Sequence, residues 1–211
     1  MPELVVPDAT ERDDLGAFVA RAVRLDASAA VRLRSRGDGL VDIWVATPFD
    51  ALVTRAVAGS SEPRDVTVSG SELLAALAVV GGPKLDPGPA RDLLWHSALP
   101  PVNGWRHVDM VPASVLAELA DRGAALAREH PGPRGTPPAE LLDQTVLTVS
   151  ASGLQVKIPL RCLFALSGMG FVAADAGQEQ VKISATDAWL RMDARYGAVV
   201  RRRHALLPLL V

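Results

Sequence analysis

From Ala29 to Val45 apolar and polar residues alternate, interrupted only by Gly37-Asp38-Gly39, and that stretch leaves few conformations open. Successive side chains of a strand point to opposite faces. Val31 and Leu33 therefore share one face, and Arg32, Arg34 and Arg36 share the other. The Gly-Asp-Gly segment supplies turn chemistry, and Leu40 to Val45 returns as the second strand. This part of the chain must be an antiparallel hairpin. Its Arg36-Gly37-Asp38 tripeptide spells an integrin-binding motif, but turn chemistry accounts for it.

Helical spacing takes over on either side. Asp8 can cap a helix over about residues 10 to 24, with Leu15, Phe18, Val19 and Ala22 at i, i+3, i+4 and i+7 and Glu11 three residues after the cap. Residues 48 to 59, PFDALVTRAVAG, admit two conformations. Thr47 as cap and Pro48 at the first helical position favour a helix, which is the expectation here. The β-branched residues and the alternation of Phe49, Ala51 and Val53 also fit a strand. Arg64 to Val68 reads as a strand, and Ser69 with Glu72 forms a capping box opening a helix through about Val80. Residues 81 to 111 are rich in proline and glycine and read as a long loop with one turn of helix at 89 to 95. Pro112 opens a helix to about Glu129 with Leu116, Leu119, Gly123 and Leu126 on one face. PGPRGTPP at 131 to 138 is a linker, followed by a short helix at 139 to 143.

The second half pairs strands over 145 to 150 and 153 to 158, then enters a helix at 159 to 167 that Gly168 and Gly170 stop. Strands follow at 180 to 184, 189 to 193 and 198 to 203. Three near-constant offsets link the halves. Residues 48 to 59 align with 159 to 170, DVTVSGSELL from 65 with QVKISATDAWL from 180, and Gly39-Leu40 with Gly153-Leu154. Two modules related by duplication would give this, and so would the ordinary recurrence of hairpins and capping boxes. The expected fold class is α+β, with two modules of β-hairpin, helix and strand built on antiparallel sheets. Residues 1 to 80 form the first, 139 to 211 the second, and a loop-rich and helical segment at 81 to 138 bridges them.

Composition narrows the functional classes. A hydrophobic fraction of 49% over 211 residues supports a folded chain, and a net charge of −2 gives no global field toward nucleic acid or membrane. The lone Cys162 can form no internal disulfide, no apolar run is long enough to span a bilayer, and no leader-like segment opens the sequence, so a cytoplasmic location is expected. The apolar tail LLPLLV at 206 to 211 is a candidate surface for a protein partner or a second copy.

No catalytic or cofactor motif is present, so no catalytic residue, metal ligand or cofactor is assigned. Cys162 lies in an apolar helix and reads as packing. Trp95, His96, Trp105 and His107, with Asp92 and Asp109, could wall a small-ligand pocket or supply acid and base groups, although no metal-ligand spacing links them. Arg32, Arg34 and Arg36 on the hairpin, and Arg201, Arg202 and Arg203 near the C-terminus, could contact phosphates or could be solvated strand-edge charges.

LPPVNGW at 99 to 105, PLRCLFALSGMGF from 159 and WLRMDARYGAVVRRR from 189 make the whole chain similar to a conserved actinobacterial protein family for which no activity is known. EPRDVTVSGSELLAAL at 62 to 77, with a helix and hairpin before it, resembles the first domain of bacterial DNA polymerase sliding clamps. VKISATDAWLRM at 181 to 192 resembles a strand and turn of the same clamps. That resemblance implies duplicated α/β modules and a basic surface that follows DNA without reading its sequence. It also implies strand where 159 to 167 reads as helix. The function expected is a non-catalytic binding or regulatory protein. A clamp-like nucleic-acid module and an enzyme built on His96 and His107 are the alternatives.

Overall fold

The computed structural model describes residues 1–79, 81–130, 132, 137–151 and 153–203. It is an α+β protein of two compact units, Met1–Leu99 and Pro100–Val211.

The first unit runs β1 (Glu3–Val5), α1 (Ala9–Leu25), β2 (Ala30–Ser35), β3 (Leu40–Ala46), β4 (Leu52–Ala58), β5 (Ser60–Glu62), β6 (Asp65–Ser69), α2 (Gly70–Val79) and β7 (Lys84–Leu85), ending in a short 3-10 turn at Asp92–Leu94. Strands β6, β2, β3 and β4 lie side by side in that order, all antiparallel, and β1 pairs with both β5 and β7. Register puts Val31 opposite Val45 and Leu33 opposite Ile43, with Val53 and Val57 continuing the same face. That face is buried beneath α1, whose Leu15, Phe18, Val19 and Ala22 are also buried. Asp8 caps α1 as its spacing predicts, its carboxylate accepting the Glu11 N–H at 2.9 Å. Glu11 does not turn back to the cap. Its carboxylate accepts the Ala58 N–H at 2.5 Å, and Asp14 pairs with Arg55, so α1 is tied to β4.

Residues 52 to 58 are strand, not the expected helix. The Thr47 hydroxyl accepts the Phe49 N–H at 3.4 Å, but that hydroxyl and the Thr47 backbone N–H both donate to Ala51 O, at 2.8 and 2.9 Å, closing a turn. Asp50 takes a positive φ of 53°, which no helix continues through. Pairing Val53 and Val57 with β3 buries β-branched side chains on the core face, and that tertiary gain overrides the capping signal.

The second unit runs β8 (Arg106–Pro112), α3 (Ala113–Glu129), α4 (Ala139–Leu142), β9 (Thr145–Ala151), β10 (Leu154–Pro159), α5 (Leu160–Gly168), β11 (Gln180–Ala185), β12 (Trp189–Ala194) and β13 (Gly197–Arg202). Strands β13, β12, β11 and β8 are antiparallel neighbours in that order, and β9 and β10 form a hairpin. The expectation of loop through residue 111 fails at β8, where Val108 and Val111 supply the buried positions and β11 supplies the partner. In α3 the buried stripe is Ala113, Leu116, Ala117, Ala120 and Gly123, while Leu126 is exposed. Small residues face inward because α5 approaches closely there, with Leu160 against Gly123. Cys162 is buried in α5.

The alignment of 48–59 with 159–170 pairs a strand with a helix, and Ser69 opens a helix where Ser184 continues a strand, so the duplication does not hold in that register. A different correspondence exists in element order. Strand, helix and a three-strand meander recur as β1-α1-β2-β3-β4 and as β10-α5-β11-β12-β13.

Candidate anion-binding site

In the second unit, β10 alternates buried Val156 and Ile158 with outward Gln155 and Lys157. The arginine run lies at the end of β13, where register sets Arg201 opposite Leu190 and Arg202 opposite Trp189. Lys157, Arg201, Arg202 and Arg203 together line a cavity of about 330 Å³, with Asp143 and Thr145 on its wall.

Each guanidinium there is held in place. Arg201 lies 3.6 Å from the Asp143 carboxylate and donates to Arg202 O at 3.2 Å. Arg202 stacks over the Trp189 ring, 4.6 Å from its centroid. Arg203 donates to Thr186 O at 2.9 Å and to Gln155 O at 2.5 Å. Carbonyl acceptors fix a guanidinium without cancelling its charge, and the remaining N–H groups keep their donor capacity. The one carboxylate in the lining is already taken by Arg161, which is 8% exposed and donates to Asp143 at 2.7 and 2.8 Å. Lys157 is exposed, and no described residue pairs with it. Among the described residues the lining holds four cationic side chains and one shared carboxylate, an arrangement that suits an anion.

The arginines of β2 share a face, as alternation predicts, yet carboxylates neutralise them. Arg32 makes a two-pronged contact with Asp65 on β6 at 2.7 and 2.8 Å, Arg34 lies 3.9 Å from the same carboxylate, and Arg36 approaches Asp42 at 3.4 Å and Asp38 at 3.8 Å. The hydrogen bond from Arg32 holds the Asp65 carboxyl below the usual range, and the same bond raises the Arg32 guanidinium. A second cavity of about 200 Å³ in this unit sets Arg36 and Arg64 against Glu3 and Glu62 and has no surplus of either sign.

The tryptophans and histidines of the central stretch divide between the units. Trp95 in the first stacks on Arg32, 5.7 Å from ring centroid to guanidinium carbon, and its indole N–H donates to Ser97 O at 2.5 Å. His96 beside it is exposed. Trp105 and His107 belong to the second unit, where the Trp105 indole donates to Pro101 O at 2.9 Å and His107 is exposed on β8 opposite Ser184. Asp92 accepts the Thr67 N–H and Asp109 the Met110 N–H. Among the described residues no three His, Cys, Asp or Glu side chains gather as metal ligands. His204 and the tail LLPLLV lie outside the described residues.

Lys157, Arg161 and Asp143 carry no motif in the sequence. The alternation of β10 puts Lys157 outward, but its convergence with β13 arises only from tertiary packing. Among the described residues no helix is long and apolar enough to cross a membrane.

Residues 1–97 match the model described as Domain of unknown function (DUF8010), and residues 100–206 match Domain of unknown function (DUF8185). No curated protein matches the sequence. Solved structures of similar fold include the DNA polymerase sliding clamp of Bacillus subtilis, with a TM-score of 0.59 at 13% identity over 99% of this chain and 66% of that one. The C. crescentus beta sliding clamp gives 0.60 at 12% identity over 99% and 66%, and the beta subunit from DNA polymerase of Streptococcus pyogenes 0.59 at 9% over 99% and 66%. The chain thus spans just under two thirds of the length of these clamps, and at such identities the likeness is one of fold. Because α5 stands inside a chain matched over 99% of its length, a helix at 160 to 168 does not count against the clamp fold. With a match over residues 100–206, on a two-unit fold of sliding-clamp type, the chain belongs to the family described as Domain of unknown function (DUF8185).

Proposed function

We propose that this chain is a non-catalytic binding protein that receives the phosphate backbone of a nucleic acid in the basic cavity of its second unit. The surplus of positive charge from Lys157, Arg201, Arg202 and Arg203 carries the reading. Such side chains bind phosphate without regard to base sequence, and the affinity comes largely from counterion release. The fold neighbours are named as DNA polymerase clamps, which favours a nucleic acid over other polyanions. Helices α2 and α3 are poor alternatives as a contact surface. On α2 the only charged residue is Glu72, and on α3 Glu118, Asp121 and Glu129 outnumber Arg122 and Arg128. The β2 arginines are secondary because Asp65, Asp42 and Asp38 already occupy them.

Fluorescence anisotropy with labelled single- and double-stranded DNA at 20 to 200 mM salt, as a working range, tests this. Four cations at roughly 0.7 counterions per contact give a slope of about −3 in log affinity against log salt for single strands. Lys157→Ala lowers the magnitude of that slope by about one without changing sequence preference. No binding to either form at the lowest salt would remove the reading.

A further inference from the structure

Strand β6 ends the run β6-β2-β3-β4, so one of its edges has no strand beside it in the first unit. Its inward groups are those of Val66 and Val68, which face Leu33 and Val31 across the β2 register, while Asp65, Thr67 and Ser69 direct their backbone N–H and C=O outward. An edge of this kind is a template for pairing with another chain. Here the middle of that edge is already occupied. The Thr67 C=O accepts the Arg91 N–H at 2.7 Å, and the Thr67 N–H donates to the Asp92 carboxylate at 2.7 Å. Thr67 is 1% exposed in consequence.

Three further contacts hold the covering segment down. Arg91 pairs with Glu72 of α2 at 2.7 Å, and Trp95 lies over Arg32, which itself grips Asp65 of β6. Upstream, the backbone passes so near the Glu72 carboxylate that a Cβ on Gly88, which has a φ of 97°, would meet Glu72 Oε2 at 2.6 Å. The segment makes no strand of its own. It satisfies one residue of the edge with a backbone donor and a carboxylate, and a carboxylate cannot pass the ladder on to a further chain.

We infer that residues 91 to 95 are an intramolecular cap on β6, and that displacing them opens a strand-pairing surface for a second copy of this chain. The occupant follows from the sequence of the edge. Around Thr67 the segment Asp65-Val66-Thr67-Val68-Ser69 is self-complementary when antiparallel: Thr67 meets Thr67, each Val66 meets a Val68, and each Asp65 meets a Ser69 without opposing like charges. The copy would extend the sheet and keep the valines on its core face.

Full-length protein carrying Asp92→Ala with Trp95→Ala tests the cap, both side chains being outside the apolar core. Hydrogen exchange at the Thr67 amide is expected to speed up at least tenfold. Sedimentation equilibrium is expected to show self-association at least tenfold tighter than wild type, and adding Thr67→Lys, which places a charge on the edge, is expected to reverse the gain. Unchanged Thr67 exchange in the double variant would overturn the cap. Faster exchange with wild-type association, or tighter association that Thr67→Lys leaves intact, would overturn the second copy as occupant.

Discussion

A methyl group at Gly123 would sit 2.3 Å from Leu160 Cδ1 and 2.9 Å from Cδ2, and Leu160 is 1% exposed with nowhere to retreat. Gly123→Ala gains about 1 kcal/mol of helix propensity, and overpacking of a tight core costs about 1–3 kcal/mol. Steric cost wins, so urea unfolding is expected to show net destabilisation of about 1–2 kcal/mol, whereas the half-buried Gly16 of α1, with no atom within 4 Å of a built Cβ, is expected to tolerate Ala. Asp65 gives the pH-dependent case. Its folded carboxyl is depressed by the hydrogen bond from Arg32, so its contribution is present above the unfolded carboxylate range and is lost as pH falls through the lower folded value. The melting-temperature gap between wild type and Asp65→Asn is therefore expected to be constant from pH 7 down to about 4 and to close on further acidification. Alternation in the sequence put Arg32, Arg34 and Arg36 on one face, but nothing local showed that Asp65, 33 residues away from Arg32, would neutralise Arg32 and Arg34. Long-range ion pairing is invisible to periodicity.

Elements were more legible than the contacts between them. The caps, hairpin turns and apolar spacing of α1, β2, β3, α5 and the last three strands each follow from local chemistry, and the structure places them within a residue or two of the expected bounds. The short strands β1, β5 and β7 were not foreseen, and the two longer misses have one cause. At 52 to 58 a valid helix cap lost to burial of Val53 and Val57 against β3, and at 106 to 112 a proline-flanked segment without periodicity became strand because β11 offered a ladder. Strand pairing draws on partners distant in sequence, so local signals can be overruled there. The link from α1 to β4 is of the same kind. Glu11→Ala leaves the Ala58 N–H without its acceptor, and a destabilisation of about 1 kcal/mol is expected in denaturant melts. Glu11→Gln, which can still accept, is expected to recover most of it.

At the scale of the whole chain, a net charge of −2 provides no attraction for nucleic acid, so any binding must come from local excess. Two local groups were visible in the sequence, and tertiary structure separates their fates. The β2 arginines face three carboxylates, whereas the β13 arginines face carbonyl oxygens, an indole ring and one carboxylate already held by Arg161. Charge reversal at one position in each group distinguishes a cavity-specific interaction from general electrostatics, because both substitutions change the net charge equally. Lys157→Glu is expected to weaken single-stranded DNA binding at least tenfold at low salt and to flatten its salt dependence, since it replaces an attractive contact with a repulsive one. Arg34→Glu is expected to change affinity less than threefold, because Arg34 is exposed and already compensated by Asp65. Equal losses from the two variants, measured by anisotropy under identical salt, would mean that the overall field and not the cavity governs the interaction.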